Sequence, residues 1–339
     1  MEYFRHIAQN YLDELYRELN SLNIRELETI YIGGGTPTAL DDDLFEELLN
    51  HIYPYTLGVK EYTVEANCEN LSEQKLIAMK KYGVNRLSLG VESTNDEILK
   101  TINRHHTYRD VINSISLARK CGFDNINVDL IMGLPGVSLE DLKLDIANIL
   151  ALNVEHISTY SLIVEKNTVF FNKDIKEKTD EEERTEYDLV DEILRQNGFV
   201  HYEVSNFAKK GKESVHNLTY WKDEHYYGIG LGASSYVNGI RRTNTRSITS
   251  YLKGQRILEE EIVTSEDDEQ YFAMLNLRTV YGIDDEIYAR RFGHSFIEKH
   301  RKTLAQFAAS GDLIIEESKV KPTYRGMMIL DFIFLKLFS

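Results

Sequence analysis

The chain has 339 residues, 42% of them hydrophobic, and a formal net charge of −16 at pH 7, which indicates a globular protein of about two domains. The negative charge argues against non-specific binding to nucleic acid or to an anionic membrane. Only two cysteines occur, Cys68 and Cys121, as is typical of a reducing compartment. The first residues lack an apolar signal sequence, and the longest apolar run, 327–338, is interrupted by Asp331 and Lys336. We therefore expect a cytoplasmic protein with no transmembrane segment and no nucleic-acid partner.

The first half of the chain predicts alternating helices and strands. A helix comes first, because Tyr11, Leu12, Leu15 and Leu19 recur at helical spacing. Five short apolar or β-branched runs then predict strands about 25–35 residues apart, the size of a βα repeat. The predicted strands are 29–32, 62–66, 86–90, 126–131 and 156–162, and the predicted helices between them are 44–53, 72–82, 108–121 and 139–150. Regular alternation implies a parallel sheet, so the fold class is α/β, either barrel-like or doubly wound.

The second half is less regular and predicts a smaller, α-rich domain. Residues 166–184 are charged and loop-like, and the acidic run 179–183 opens a helix that ends near Gly198. Residues 257–269 are strongly acidic and predict a linker, after which the periodicity is helical, with a hairpin at 313–320. The predicted divisions are a barrel-type domain at 1–165, a flanking region at 166–256, and a linker with a C-terminal helical, winged-helix-like domain at 257–339.

Three consecutive glycines, Gly33, Gly34 and Gly35, follow the first predicted strand. A turn without side chains lets backbone N–H groups approach a ligand closely. This turn also lies at the carboxyl end of a parallel strand, where ligands collect in α/β folds. A dinucleotide-binding G-x-G-x-x-G turn is excluded, because its third glycine would fall on Thr38. The alternative is a tight turn with no ligand, for which one glycine would be enough.

Charged residues lie at the ends of the following strands. Glu65 ends the second predicted strand, Glu92 follows the third, Asp129 lies within the fourth, and Arg104 is in the loop after the third. Strands of a parallel sheet are expected to be apolar on both faces, so buried charges there need partners. One explanation is an internal salt-bridge set in which Arg104 pairs with Glu92 or Asp129. Four such residues on one rim, beside a triple-glycine loop, favour a polar ligand pocket.

A second cluster of unusual residues is the H-N-x-x-Y-W stretch at 216–221, within a region rich in aromatics and glycine. Read by itself, this pattern favours a small aromatic core with hydrogen-bonded histidines. The alternative is a site for a flat ligand or a metal.

Four stretches of the sequence resemble a known family. They are YIGGGTPT at 31–38, VEAN at 64–67, RLSLGVES at 86–93 and NVDLIMGLPG at 127–136. Together they resemble the radical S-adenosylmethionine (SAM) family, in the branch of oxygen-independent coproporphyrinogen oxidase and its heme-chaperone relatives. The resemblance covers nearly the whole chain and implies a partial (β/α)6 barrel with a small α-rich C-terminal domain. Because the chain begins in the helix that follows the first strand of such a barrel, we expect that strand to be lacking.

The resemblance also implies a SAM site. Gly33, Gly34, Gly35 and Thr36 match the loop that holds the amino and carboxylate end of SAM in the family. Four further positions match residues that contact SAM, namely Glu65, Glu92, Arg104 and Asp129. Glu92 departs from the Gln that is common at its position, and it replaces a neutral donor and acceptor with a carboxylate that only accepts.

For the second cluster, the resemblance implies heme binding. H-N-x-x-Y-W is similar to the motif that distinguishes the heme chaperones from the oxidase, so His216 is the candidate ligand of heme iron, with Tyr220 and Trp221 packed beside it. Ser234 departs from the His found in many relatives. The implied function is a heme chaperone that binds heme and passes it to heme-accepting proteins, membrane-associated ones included. The alternatives are oxygen-independent coproporphyrinogen III oxidase and a cluster-free binding protein derived from the family.

The family's 4Fe–4S cluster is held by three cysteines in a C-x3-C-x2-C loop, which this chain does not contain. Either the cluster loop is encoded upstream of this chain, or the protein lacks the cluster. The retained SAM-site residues favour the first explanation. Without those cysteines the chain is not expected to cleave SAM reductively, so no catalytic residue is assigned and enzymatic activity stays open.

Overall fold

A computed structural model describes residues 2–24, 26–166, 169–172 and 175–338. The chain divides into two compact units. The barrel unit contains residues 24–201 and 205–214, and the discontinuous unit combines the residues up to Asn23, residues 202–204 and the residues from Val215 onward. The chain opens with helix α1 (Glu2–Ser21), which confirms the predicted first helix.

The barrel unit is built on one seven-stranded sheet. Its strands are β1 (Thr29–Ile32), β2 (Glu61–Asn67), β3 (Arg86–Glu92), β4 (Ile126–Met132), β5 (His156–Ser161), β6 (Phe199–Glu203) and β7 (Asn206–Lys209). They lie in the order β1-β2-β3-β4-β5-β7-β6. Strands β1 to β5 pair in parallel, whereas β7 is antiparallel to β5. The five predicted parallel strands are therefore confirmed.

Helices connect the parallel strands. They are α2 (Asp42–Ile52), α3 (Glu73–Lys81), α4 (Asp96–Thr101), α5 (Tyr108–Lys120), α6 (Leu139–Ala151), α7 (Val169–Asn172) and α8 (Asp180–Gln196). Short 3₁₀ helices cover Pro37–Ala39, Tyr53–Tyr55 and Cys68–Asn70. Thr107, Ser138 and Thr179 cap α5, α6 and α8 with reciprocal side-chain and backbone bonds, which explains where these helices begin. Helix α4 was not predicted. The predicted loop at 166–184 includes residues 167, 168, 173 and 174, which lie outside the described residues.

The two faces of the parallel sheet differ in chemistry. Outward-facing side chains such as Val64, Leu89 and Val128 pack with the helices in one apolar core. The alternate positions carry polar residues, among them Thr63, Ser88 and Asn127, so the expectation of strands that are apolar on both faces is wrong. A polar inner face positions hydrogen-bonding groups along the whole height of the strands.

The discontinuous unit contains helix α9 (Val215–Trp221), helix α10 (Ile248–Tyr251) and an antiparallel sheet. The sheet has β8 (Ser234–Val237), β9 (Ile240–Asn244) and β10 (Ile257–Ile262), in the order β10-β9-β8. Glu18 of α1 is 7% exposed and accepts hydrogen bonds from the backbone N–H of Gly230 (2.9 Å), the side chain of Asn244 (2.7 Å) and the hydroxyl of Tyr251 (2.5 Å). These bonds join α1 to a loop, to β9 and to α10, so Glu18 fixes α1 in this unit.

The C-terminal part of the discontinuous unit has its own apolar core. Its helices are α11 (Ser265–Asn276), α12 (Asp285–Phe292), α13 (Phe296–Lys299), α14 (Arg301–Ala309), α15 (Tyr324–Met327) and α16 (Leu330–Leu337). Strands β11 (Ile283–Asp284), β12 (Leu313–Glu316) and β13 (Lys319–Pro322) form a sheet in the order β11-β13-β12, which confirms the predicted hairpin.

The predicted linker at 257–269 is wrong. Residues 257–262 form β10, which pairs with β9, and α11 begins at Ser265 after the capping residue Thr264. All six residues of β10 are exposed, so its side chains carry no burial pattern. The strand is held by backbone pairing with β9 and by the ion pair of Glu260 with Arg242. Within the described ranges, no helix has the length and apolar character that a membrane crossing needs.

Candidate functional site

The triple-glycine loop of the barrel unit is held by the side chains of the next strand. The backbone N–H of Gly34 donates to one carboxylate oxygen of Glu65 at 3.0 Å, and the Tyr31 hydroxyl donates to the other at 2.7 Å. A Cβ on Gly33 would lie 2.5 Å from the Glu65 carboxyl carbon, so only glycine permits this approach. Gly34 has a φ of 81°, and space is open beside both Gly34 and Gly35. The loop therefore presents exposed backbone at the carboxyl end of β1.

The end of the loop is tied to the same neighbouring strand. The Asn67 amide donates to the hydroxyl of Thr36 at 3.1 Å. Asn67 is the last residue of β2 and lies on the same face of the strand as Glu65. Both ends of the glycine turn are thus fixed by β2, which leaves the turn little freedom to collapse.

Glu92 and Arg104 form an ion pair on the adjacent strand end. Glu92 is 7% exposed and has a φ of 66°, at a point where the pairing register between β3 and β4 shifts by one residue. Such a bulge redirects a side chain, and here it turns the Glu92 carboxylate toward Arg104. Burial raises the pKa of Glu92, while the Arg104 guanidinium acts in the opposite direction.

Asp129 completes the rim from β4. The Asn127 amide donates to its carboxylate at 2.8 Å. Burial raises the pKa of Asp129 to about 7, and the nearby charge of Glu92 raises it further. Tyr31, Glu65, Glu92, Arg104 and Asp129 therefore lie on one rim of the barrel unit. The rim holds three acids and one guanidinium, which makes it acidic when all three are ionised.

The predicted heme residues lie in the discontinuous unit, on α9. His216 and Tyr220 are one helical turn apart, and His216 Nε2 lies 2.8 Å from the Tyr220 hydroxyl. The ring of Tyr220 meets that of Tyr226 edge to face at 4.6 Å, and burial raises the pKa of Tyr220 to about 12. His216 and Trp221 are half-buried, whereas Tyr220 is 36% exposed. The helix thus offers an imidazole and aromatic rings at an accessible surface.

Ser234 lies at the start of β8. Its hydroxyl is exposed and 3.2 Å from that of Thr243. The backbone of Tyr236, two residues further along β8, pairs with that of Tyr226. Ser234 therefore lies two residues from the backbone that pairs with Tyr226, whose ring contacts that of Tyr220.

Comparisons with known proteins extend over nearly the whole chain. A model of the radical SAM superfamily matches residues 2–147, and a model of the HemN C-terminal domain matches residues 263–329. The solved structure of coproporphyrinogen III oxidase (HemN) from Escherichia coli has a TM-score of 0.85, covering 99% of this chain and 84% of that one at 21% identity. The parallel sheet, the glycine loop and the C-terminal helical domain are therefore those of a radical SAM protein.

Two similar proteins show to which branch of the radical SAM superfamily the chain belongs. The chain is 37% identical to the heme chaperone HemW of Bacillus subtilis (strain 168), over 95% of this chain and 89% of the relative. It is also 37% identical to the heme chaperone HemW of Lactococcus lactis subsp. lactis (strain IL1403), over 96% of this chain and 88% of the relative. This chain belongs to the HemW family.

A radical SAM protein implies two groups, SAM and a 4Fe–4S cluster, and the residues fit them differently. The open, glycine-walled space beside Gly34 and Gly35, next to the acidic rim, suits a ligand that carries an amino group and ribose hydroxyls.

The cluster does not fit the residues that this chain provides. Cys68 is 6% exposed in the apolar core, where burial raises its pKa to about 12, and Cys121 ends α5. A thiol held protonated in an apolar core is a poor metal ligand. Within the described ranges, no group of three His, Cys, Asp or Glu side chains could hold a metal ion.

Three residues that contact the rim or lie on it were not predicted as site residues: Tyr31, Asn67 and Asn127. Each lies two positions from a predicted residue, on a strand in which polar and apolar side chains alternate. That alternation was the signal that could have identified them, because residues two apart on a strand share a face.

Proposed function

We propose that this protein is a cytoplasmic heme chaperone that binds heme at α9 and transfers it to heme-accepting proteins. The observation that carries the proposal is the 37% identity to two proteins named heme chaperone HemW, over at least 95% of this chain. The position of His216 on an accessible helix gives the proposal a chemical basis. The proposed acceptors include membrane-associated proteins.

His216 is the proposed ligand of heme iron. A neutral imidazole is a good axial ligand, and the half-buried ring of Trp221 offers an apolar surface for the macrocycle. The Tyr220 hydroxyl is the hydrogen-bond partner of His216 Nε2, so iron binding through Nε2 requires this contact to open. A contact that opens is suited to a carrier, because the same contact can form again when heme leaves.

The barrel unit is proposed to hold SAM. Gly33, Gly34, Gly35 and Thr36 would contact its methionine end through backbone and hydroxyl groups, and Glu65 would keep the loop in place. Glu92, Arg104 and Asp129 would supply charged and hydrogen-bonding groups at the strand ends. Bound SAM would contribute a sulfonium and a nucleoside to this pocket, and the chain's own residues orient them.

Heme titration tests the chaperone proposal. Adding hemin to the purified protein should shift the Soret band with a saturable midpoint, and His216→Ala should weaken binding at least about ten-fold, as expected for loss of an iron ligand. His6→Ala is the matched control, because His6 is an exposed helical histidine whose ring lies 3.2 Å from the side-chain amide of Asn10. Identical spectra and midpoints for the native protein and His216→Ala would remove the assignment.

Coproporphyrinogen III oxidase remains the alternative activity, because a solved oxidase shares the fold at 21% identity. An assay of protein whose 4Fe–4S cluster has been restored, with SAM, a one-electron reductant, an electron acceptor and coproporphyrinogen III, separates the two functions. Formation of vinyl groups in the porphyrin product would favour the oxidase, whereas heme binding without such a product would favour the chaperone.

A further inference from the structure

The Arg104 guanidinium already has a partner inside the protein. Its carboxylate partner, Glu92, is 7% exposed, and the Arg104 side chain is 32% exposed. A Cβ on Gly90 would lie 3.2 Å from both Asn67 Oδ1 and Glu92 Oε1, and 3.9 Å from Arg104. These three groups therefore converge on the space that a side chain at position 90 would fill. The pair is built into the strand end.

The backbone holds Glu92 in this orientation. The left-handed φ of 66° and the register shift between Gly90 and Glu92 point its side chain across the rim rather than along the strand. Left-handed backbone is uncommon for a residue other than glycine, so this conformation is maintained by its surroundings. The backbone N–H of Arg104 donates to the carbonyl of Leu99 at 2.8 Å, which fixes the other side of the pair.

The charge of the rim follows from this pair. With Glu92 paired to Arg104, the other acids of the rim are Glu65, which accepts from Tyr31 and Gly34, and Asp129, which accepts from Asn127. A ligand carboxylate that approaches Arg104 would have to share its guanidinium with the buried carboxylate of Glu92, and this like charge opposes its binding. A ligand with cationic and hydroxyl groups meets no such penalty, because carboxylates accept hydrogen bonds from both.

We propose that Glu92 is an internal competitor for Arg104, so that this pocket binds an adenosylsulfonium ligand through its nucleoside and cationic groups and captures its carboxylate only weakly. The inference rests on the proposed SAM pocket and does not depend on heme binding. A Gln at position 92 would remove the competing charge and leave Arg104 free to pair with a ligand carboxylate.

Calorimetric titration with SAM and with decarboxylated SAM tests the inference without any need for turnover. For the native protein the two dissociation constants should agree within about three-fold. In Glu92→Gln, SAM should bind about ten-fold more tightly than the decarboxylated ligand, the scale of one charge-assisted bidentate contact. Adding Arg104→Gln to that variant should abolish the preference, whereas Arg104→Gln alone should leave the native ratio unchanged.

Glu69→Gln is the matched control, because it removes an exposed carboxylate that lies near His106 rather than Arg104. If Glu92→Gln does not fold, as judged by its thermal transition, Glu92→Asn serves instead, since asparagine tolerates left-handed backbone.

Two results would overturn the inference. A native protein that already prefers SAM ten-fold over the decarboxylated ligand would show that Glu92 does not compete. Failure of every variant to bind either ligand would show that the rim is not an adenosyl pocket. Hemin titration of the same preparations shows separately whether the chaperone function stands.

Discussion

His216 Nε2 lies 2.8 Å from the Tyr220 hydroxyl, so the nitrogen proposed to bind iron is occupied by a hydrogen bond in the free protein. Their rings meet edge to face, with centroids 5.0 Å apart. Heme binding through this nitrogen therefore exchanges one contact for another. The strength of the hydrogen bond should consequently appear in the heme affinity.

Removing the Tyr220 hydroxyl tests this exchange. Tyr220→Phe should bind hemin about three- to ten-fold more tightly than the native protein, because a hydrogen bond worth about 0.5–1.5 kcal/mol no longer has to be broken. The Soret midpoint measures the change. Weakening as large as that of His216→Ala would show instead that the hydroxyl supports the heme-bound state.

Ser234 offers a gain-of-function prediction. It is exposed at the start of β8, two residues before Tyr236, so a larger side chain can be accommodated there without repacking. Ser234→His should tighten hemin binding by about ten-fold if this position faces the heme, the scale of a metal-coordinating group. Ser235→His, on the opposite side of the strand, should leave the Soret midpoint unchanged. Equal effects of the two substitutions would contradict the assignment of this face.

Alanine substitutions at Gly33 and Gly35 of the glycine loop are predicted to have contrasting effects on stability. Gly33→Ala places a Cβ 2.5 Å from the Glu65 carboxyl carbon and 2.6 Å from the Tyr31 ring, so the loop or Glu65 must move. We expect a loss of about 1–3 kcal/mol in the free energy of unfolding, together with weaker SAM binding. Gly35→Ala meets nothing within 4 Å and should leave the unfolding free energy unchanged or slightly raised. Denaturant unfolding compares the two, and equal destabilisation would exclude the steric explanation.

Asp129 should make stability depend on pH. Its pKa rises from the ordinary 3.8 to about 7 in the folded protein, so the folded state binds a proton more tightly than the unfolded state does. Stability from this group is greatest at acidic pH and is lost as the pH rises from 3.8 to about 7. Asp129→Asn should therefore gain stability relative to the native protein across that range, by at most about 4 kcal/mol.

Thermal unfolding at pH values between 4 and 8 measures the difference between Asp129→Asn and the native protein. Asp124→Asn is the control, because it makes the same substitution at a side chain that is 91% exposed. A stability difference that is the same at every pH would show that the Asp129 carboxyl is not perturbed by its surroundings.

The parallel strands were predictable because their apolar residues are buried against helices, and burial leaves a pattern in the sequence. Leu87 and Leu89 in β3 show that pattern. Strand β10 was missed for the opposite reason. The apolar residues Ile257, Leu258 and Ile262 show no alternating burial pattern, because every side chain of β10 is exposed. The strand pairs with β9 through the backbone and through the ion pair of Glu260 with Arg242.

The candidate site was predictable as a set of residue types but not as a set of contacts. Glu65 and Asp129 followed from their positions at strand ends. The bulge that turns Glu92 toward Arg104 depends on the pairing between β3 and β4, which no local stretch of sequence encodes. The salt-bridge alternative and the ligand-pocket prediction thus concern the same residues, and the structure shows the predicted Glu92–Arg104 ion pair.

The bond between Glu18 and Tyr251 joins residues that are 233 positions apart. Helix α1 is therefore translated long before its hydrogen-bond donors in the discontinuous unit, Asn244 and Tyr251. Residues 24–201 and 205–214 of the barrel unit are translated between them, so the apolar side chains of α1, Leu12 and Leu19 among them, lack those later partners while these residues are made. A holdase chaperone that acts on the nascent chain would therefore be expected to bind α1.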